Sequence, residues 1–163
     1  MIFGTSYVTK EFTFDAMHQL PNHNGLCKNY HGHTYIVHVT LTGLINETEG
    51  SPSEGMVYDF SHLKRIFQKE IADKADHAFI AKGDEVIELN GDTLYLADVL
   101  EAQGMRVFRL GVRSTAENIS KWIFETIAEN TPKYVFVKNV RVYETPKSWA
   151  DYKARDYEST PTT

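Results

Sequence analysis

Two stretches of this chain alternate apolar with polar residues and meet at histidines, and that pattern constrains the fold more than any other feature. In residues 7–18, YVTKEFTFDAMH, Val8, Phe12, Phe14, Ala16 and His18 share one parity, and the other parity is mostly polar. Successive side chains on a strand point to opposite faces, so this segment reads as a half-buried strand with His18 at its inward end. In residues 31–45 the odd face carries His31, His33, Tyr35, Val37, Val39 and Leu41, and the even face Thr34, Ile36, His38, Thr40 and Thr42. His31 and His33 therefore point the same way, toward the more apolar side. Residues 19–30, rich in Pro, Asn, Gly and Lys, read as the loop between the strands.

Further along, EGSPSEG (49–55) is a turn. Asp59 is expected to cap a helix whose buried stripe is Phe60, Leu63, Ile66, Phe67 and Ile71, ending near residue 74. A short strand near 93–96, a brief helix near 97–103 and a strand near 105–110 follow. Ser114 and Glu117 fit a Ser-x-x-Glu capping box, opening a second long helix with a stripe of Ile119, Trp122, Ile123 and Ile127. The final strand is expected at 134–145, and the polar tail, about 154–163, is expected to be flexible. Strands and helices do not alternate regularly, which predicts an α+β sheet with its two long helices packed on one face. The 163 residues read as one domain, 1–163, without internal repeats.

Several function classes are disfavoured. One cysteine cannot form an internal disulfide, and the net charge of −5 comes without any basic block that would suit nucleic acid. The N-terminal residues lack a signal-peptide pattern, and no apolar run is long enough to span a bilayer. A cytoplasmic protein is expected, with no membrane or nucleic-acid partner.

The chemistry concentrates in CKNYHGHTY (27–35). His-x-His on a strand puts two imidazoles on one face, and His18 ends a neighbouring inward strand, so three histidines are placed to converge. Three histidines with a vacant fourth position is the pattern of a catalytic zinc site. The plainer alternative is that buried histidines simply find hydrogen bonds. A cupin-like metal site would want a carboxylate shortly downstream, and TYIVHV has none. Cys27 either completes a closed four-ligand site, stays off the metal as a base or nucleophile, or is an inert thiol. In Asp76-His77 a carboxylate adjoins an imidazole that it can orient, unless the pair merely ends a helix. Glu117 is accounted for by the capping box. Glu144 shares parity with Tyr134, Phe136, Val140 and Val142, which puts an acid at the end of an apolar face. Such a carboxylate needs a donor, and a ligand presenting adjacent N–H groups would supply it. His23, His38 and His62 read as loop or surface residues.

The ordered segments FTFDAMHQL, CKNYHGHTY, GMVYDFSHLK, DHAF, STAEN and VYET together resemble the 6-pyruvoyl-tetrahydropterin synthase family over residues 7–145. Three residues separate Cys27 from His31, as in the 6-carboxy-tetrahydropterin synthase branch. The resemblance implies a tunnelling fold, an antiparallel sheet whose subunits assemble into a barrel, with a hexamer of two trimers and active sites at subunit interfaces. It implies Zn2+ on His18, His31 and His33, and a catalytic Cys27 with Asp76 and His77 as acid–base partners. It places Thr115 and Glu117 in the pterin pocket and makes Glu144 the anchor of the pterin ring. The implied activity is conversion of 7,8-dihydroneopterin triphosphate to 6-carboxy-5,6,7,8-tetrahydropterin, acetaldehyde and triphosphate, toward 7-deazaguanine nucleosides such as queuosine. The alternatives are triphosphate elimination to 6-pyruvoyl-tetrahydropterin, and a non-catalytic pterin- or zinc-binding protein. The chain departs from the family pattern at Ile80-Ala81, at Ser114 where proline is frequent, and in a longer 82–108 segment.

Overall fold

The structure, a computed structural model, describes residues 5–154. In chain order the strands are β1 (Ser6–His18), β2 (His31–Gly43), β3 (Ala78–Ala81), β4 (Val86–Leu89), β5 (Asp92–Tyr95), β6 (Val107–Arg109), β7 (Phe136–Thr145) and β8 (Ser148–Lys153). The helices are α1 (Phe60–Phe67), α2 (Asp73–Ala75), α3 (Leu96–Ala102) and α4 (Ala116–Asn130). Six strands form one sheet in the order β6-β3-β1-β2-β7-β8, while β4 and β5 form a separate hairpin.

The two alternating stretches pair with each other along their whole length, Ser6 opposite Gly43 and His18 opposite His31. Their inward residues Phe14, Ala16, Tyr35, Val37, Val39 and Leu41 are buried, as the patterning predicts. The expected antiparallel sheet is found for β1, β2, β7 and β8, but β3 pairs parallel to β1 and β6 parallel to β3. Parallel pairing needs a crossover, and the helical segment 60–75 supplies the one that leads into β3. The strand β3, AFIA, is buried on both faces and lacks alternation, so its short apolar run carries no strand signature.

Both long helices lie against one face of the sheet. Asp59 Oδ1 accepts the Ser61 N–H at 2.6 Å, the expected cap. From there α1 runs through a π-helical turn at Gln68–Ala72 into α2, burying Leu63, Phe67, Ile71 and Ala75. On α4, Ile119, Ile123 and Ile127 repeat every four residues and are fully buried. Truncating any of these to Ala removes about 2–5 kcal/mol, from lost burial plus the residual cavity.

Three local expectations are overturned. The cap of α4 is Thr115, whose hydroxyl accepts the Asn118 N–H, and not Ser114 with Glu117. Ser114 is fully buried and its carbonyl is taken by His18, so the helix starts one residue later. The parity of residues 134–144 breaks at Lys138, where a β-bulge interrupts pairing with β2. Val137 faces inward before the bulge and Val140 and Val142 after it, leaving Tyr134 and Phe136 exposed. Finally, β7 is not the last strand, because β8 pairs with it antiparallel. The tail beyond residue 154 lies outside the described residues. No helix among the described residues is long and apolar enough to cross a membrane.

Candidate metal centre and proton-transfer pair

The pairing of β1 with β2 brings His18 and His31 opposite each other, and His33 follows on the same face. The ring nitrogens of all three gather within 4.8 Å of one another. His18 is 1% exposed, and His31 and His33 are half-buried. His18 Nδ1 lies 2.7 Å from the Ser114 carbonyl and His31 Nδ1 lies 2.8 Å from the Asn29 carbonyl. A carbonyl only accepts, so both Nδ1 atoms carry the proton and, in the neutral rings, both Nε2 atoms present lone pairs. Those two Nε2 atoms face each other at 3.0 Å. Two lone pairs at that distance repel unless a cation lies between them. The donor set therefore fits a divalent metal such as zinc, and the two carbonyls supply the outer support that fixes ligand tautomers.

The electrostatics agree. Burial holds the His18 imidazole down at about 4, against the Ser114 carbonyl and with help from His31 and His33. Burial also lowers His33, again with His31 adding and the Glu144 backbone opposing. Both rings are thereby kept neutral, as metal ligation requires. The Tyr35 ring packs edge-on against His18 and His33, with centroids 6.1 and 5.5 Å away. Its hydroxyl is buried without a hydrogen-bond partner, and burial, then nearby Glu144, push its ionisation far above the usual phenol range.

Cys27 sits half-buried in a single 3₁₀ turn, Leu26–Lys28, between the two strands. Its sulfur is not among the atoms gathered with the three histidines. Glu144, near the end of β7, is half-buried, and its carboxyl is raised by burial and by Glu117, with His31 pulling the other way. Glu117 lies exposed in the first turn of α4, and Thr115 precedes it as the cap. The structure thus brings Glu144, Glu117 and His31 into one electrostatic neighbourhood.

Asp76 and His77 lie at the junction of α2 and β3. His77 Nδ1 is 3.0 Å from Asp76 Oδ1, and the His77 side chain is 75% exposed. Its backbone is left-handed, with φ at 57°, a conformation that costs a non-glycine residue energy. The strain is held by β1: the His77 N–H donates to the Asp15 carbonyl at 2.6 Å, and the Asp15 N–H donates to Asp76 Oδ1 at 2.9 Å. Asp15, Asp76 and His77 form a second group whose ligand-type atoms lie within 4.8 Å. Asp15 and His77 border a cleft of about 620 Å3 together with Met17, His33, Thr34, Phe79 and Arg106. Asp15 was not singled out from the sequence, because it lies on the polar parity of β1. Only the strand register reveals that it meets Thr34.

This mixed sheet with two helices on one face and three convergent histidines defines a class, α+β proteins whose strand-borne His-x-His forms a candidate metal site. Within that class the chain belongs to the 6-pyruvoyl tetrahydropterin synthase family, whose pattern matches residues 7–155. A 6-carboxy-5,6,7,8-tetrahydropterin synthase of Haemophilus influenzae is 35% identical over 146 residues, spanning 90% of this chain and 97% of that protein. Another, from Synechocystis, is 34% identical over 147 residues, spanning 89% and 91%. The fold matches a solved 6-pyruvoyl tetrahydropterin synthase of Caenorhabditis elegans, with a TM-score of 0.66 and 24% identity over 95% of this chain and all of that one. That structure shares the tunnelling fold.

Proposed function

We propose that this protein is a zinc-dependent lyase that converts 7,8-dihydroneopterin triphosphate to 6-carboxy-5,6,7,8-tetrahydropterin, acetaldehyde and triphosphate. The observation that carries the reading is the gathering of three imidazoles, with His18 Nε2 and His31 Nε2 3.0 Å apart and their Nδ1 atoms turned to carbonyls. That the Cys27 sulfur lies outside this group supports an open three-histidine centre rather than one closed by Cys27. The relatives from Haemophilus influenzae and Synechocystis, named as 6-carboxy-5,6,7,8-tetrahydropterin synthases, support the product.

His18, His31 and His33 would hold Zn2+, which supplies Lewis acidity toward the hydroxyls of the substrate side chain. Glu144 accepts N–H bonds from the amino-pyrimidinone edge of the pterin, as a charge-assisted pair. Thr115 and Glu117 line the same pocket. Cys27, off the metal, moves a proton at the side-chain carbon, and His77, oriented by Asp76, accepts or returns one. The working unit is one domain assembled with further copies into a barrel, a hexamer of two trimers. In support, β6 and β8 are unpaired sheet edges among the described residues, and His77 projects outward. The product would feed 7-deazaguanine nucleoside synthesis such as queuosine, in the cytoplasm.

The test is incubation of zinc-loaded protein with 7,8-dihydroneopterin triphosphate and mass analysis of products. Acetaldehyde with 6-carboxy-tetrahydropterin supports the reading. Triphosphate release without acetaldehyde indicates 6-pyruvoyl-tetrahydropterin synthesis instead, and tight pterin binding without turnover indicates a binding protein.

A further inference from the structure

We propose that Asp15 is a positioning residue for the Asp76–His77 pair, latched in place by Thr34. This rests on the reading of His77 as a proton-transfer group.

The main chain of Asp15 already grips the pair at both ends, through its N–H to Asp76 Oδ1 and its carbonyl from the His77 N–H. Its side chain is also fixed. Asp15 and Thr34 are register partners across β1 and β2, and the Thr34 hydroxyl donates to Asp15 Oδ1 at 2.5 Å. That places a second carboxylate within 4.8 Å of both the Asp76 carboxylate and a His77 ring nitrogen. An exposed Asp on a strand ordinarily samples several rotamers, and a short bond from Thr34 selects one.

The consequence concerns charge. When His77 takes up a proton its ring becomes cationic, and Asp76, bonded to Nδ1, stabilises it. Asp15 adds a second negative charge from the other strand without a bond to the ring. The other charged or titratable groups lining this cleft are His33 and Arg106, whose guanidinium donates to the Asp73 carbonyl. Met17, Thr34, Met105 and Phe79 are uncharged, so Asp15 is the one acid among the lining residues, with Asp76 bonded to His77 beside it. Asp15 thus sets a second carboxylate beside the ring that carries the proton during transfer, while the Thr34 hydroxyl keeps that carboxylate from swinging away.

The experiment combines Asp15→Asn, Thr34→Val, Thr34→Ser and His77→Gln in zinc-loaded protein, with turnover of dihydroneopterin triphosphate, KM, zinc content and melting temperature. Asp15→Asn keeps the shape and the backbone bonds. It is expected to lower kcat about tenfold with KM and zinc unchanged, less than the roughly 100-fold or more of a full acid–base group because Asp15 acts only through the pair. Thr34→Val is expected to give a smaller loss in kcat, with Thr34→Ser restoring it. In a His77→Gln background Asp15→Asn should add nothing. If Asp15→Asn costs as much without His77 as with it, or lowers zinc and melting temperature in step with kcat, the positioning role is overturned and His77 keeps its own. If His77→Gln retains full turnover, the proton-transfer reading falls first and takes Asp15 with it.

Discussion

The two faces of the β1–β2 ribbon carry two clusters built in opposite ways. On the helix-covered face, His18, His31 and His33 are oriented by strand alternation, and the tautomers of His18 and His31 are set by backbone carbonyls, a buried one at Ser114 and an exposed one at Asn29. On the outward face, Asp76 and His77 sit at a helix–strand junction. They are held by hydrogen bonds to β1, with one residue in a left-handed conformation. The first cluster is rigid because the core is rigid. The second is fixed by a few bonds at the surface and is free to face another molecule. A metal ligand set needs the former, and a group that must exchange protons with a substrate needs the latter.

The largest effect should come from breaking the inner cluster. His31→Ala leaves His18 without its partner, and zinc per subunit should fall toward zero by metal analysis, with turnover lost; full zinc occupancy in that variant would defeat the assignment. Next comes Cys27→Ala, which tests whether the thiol belongs with the inner cluster. Turnover should drop about 100-fold or more while zinc and melting temperature persist, because a proton-transfer group contributes to rate and not to folding. Loss of zinc and stability together would place Cys27 among the ligands instead.

A third test separates the two faces by pH. The folded state holds His18 down at about 4, against 6.5 for a free imidazole. The unfolded chain therefore binds a proton that the folded chain refuses, and stability is lost as pH falls from about 6.5 through about 4. For metal-free protein the loss from this residue is about 3 kcal/mol, read by urea denaturation across that window. His18→Gln should flatten that part of the curve. A fourth concerns the ligand end of the inner face. Glu144→Gln keeps shape but removes charge and one acceptor, and pterin affinity should weaken by about 15-fold or more, matching the roughly 1.5–3 kcal/mol of a hydrogen bond to a charged group, by calorimetry. The smallest effect is expected at Tyr35→Phe. Its hydroxyl is buried and unpartnered, so removing it should leave stability unchanged or raise it by about 1 kcal/mol. A clear destabilisation would reveal a partner for that hydroxyl.

What the sequence disclosed follows the same division. Alternation is a local property, so the two long strands, the inward histidines and the buried stripes of α1 and α4 were legible from spacing. Asp59 was legible as a cap because no tertiary demand competes with it. Ser114 was misread because the competing demand, a carbonyl for His18, comes from a strand far away in sequence. The bulge at Lys138 inverted the parity of Tyr134 and Phe136, and a single inserted residue leaves no trace in a hydrophobic pattern. Asp15 and Thr34 were invisible as a pair because register is a property of two strands, and β3 because four buried residues carry no period. The roles proposed for Thr115 and Glu117 rest on resemblance to the family alone, whereas the residues themselves offered Glu144 as an acid seeking N–H donors, Asp76 as an orienter of His77, and Cys27 as ligand, base or inert thiol, with the resemblance choosing among these.

The hydrogen bond from His18 to Ser114 also fixes an order of events during synthesis. His18 and His31 are 13 positions apart and meet when a hairpin closes, whereas His18 and Ser114 are 96 positions apart. A hairpin forms in about 1–10 microseconds, and translation proceeds at roughly 5–20 residues per second. From the synthesis of His31, a further roughly 4–17 seconds pass before the chain reaches Ser114, whose carbonyl sets the His18 proton. Throughout that interval the imidazoles are neighbours whose protons are still free to move between nitrogens. The finished arrangement of the three imidazoles is a product of the completed chain, and the growing one carries only its outline.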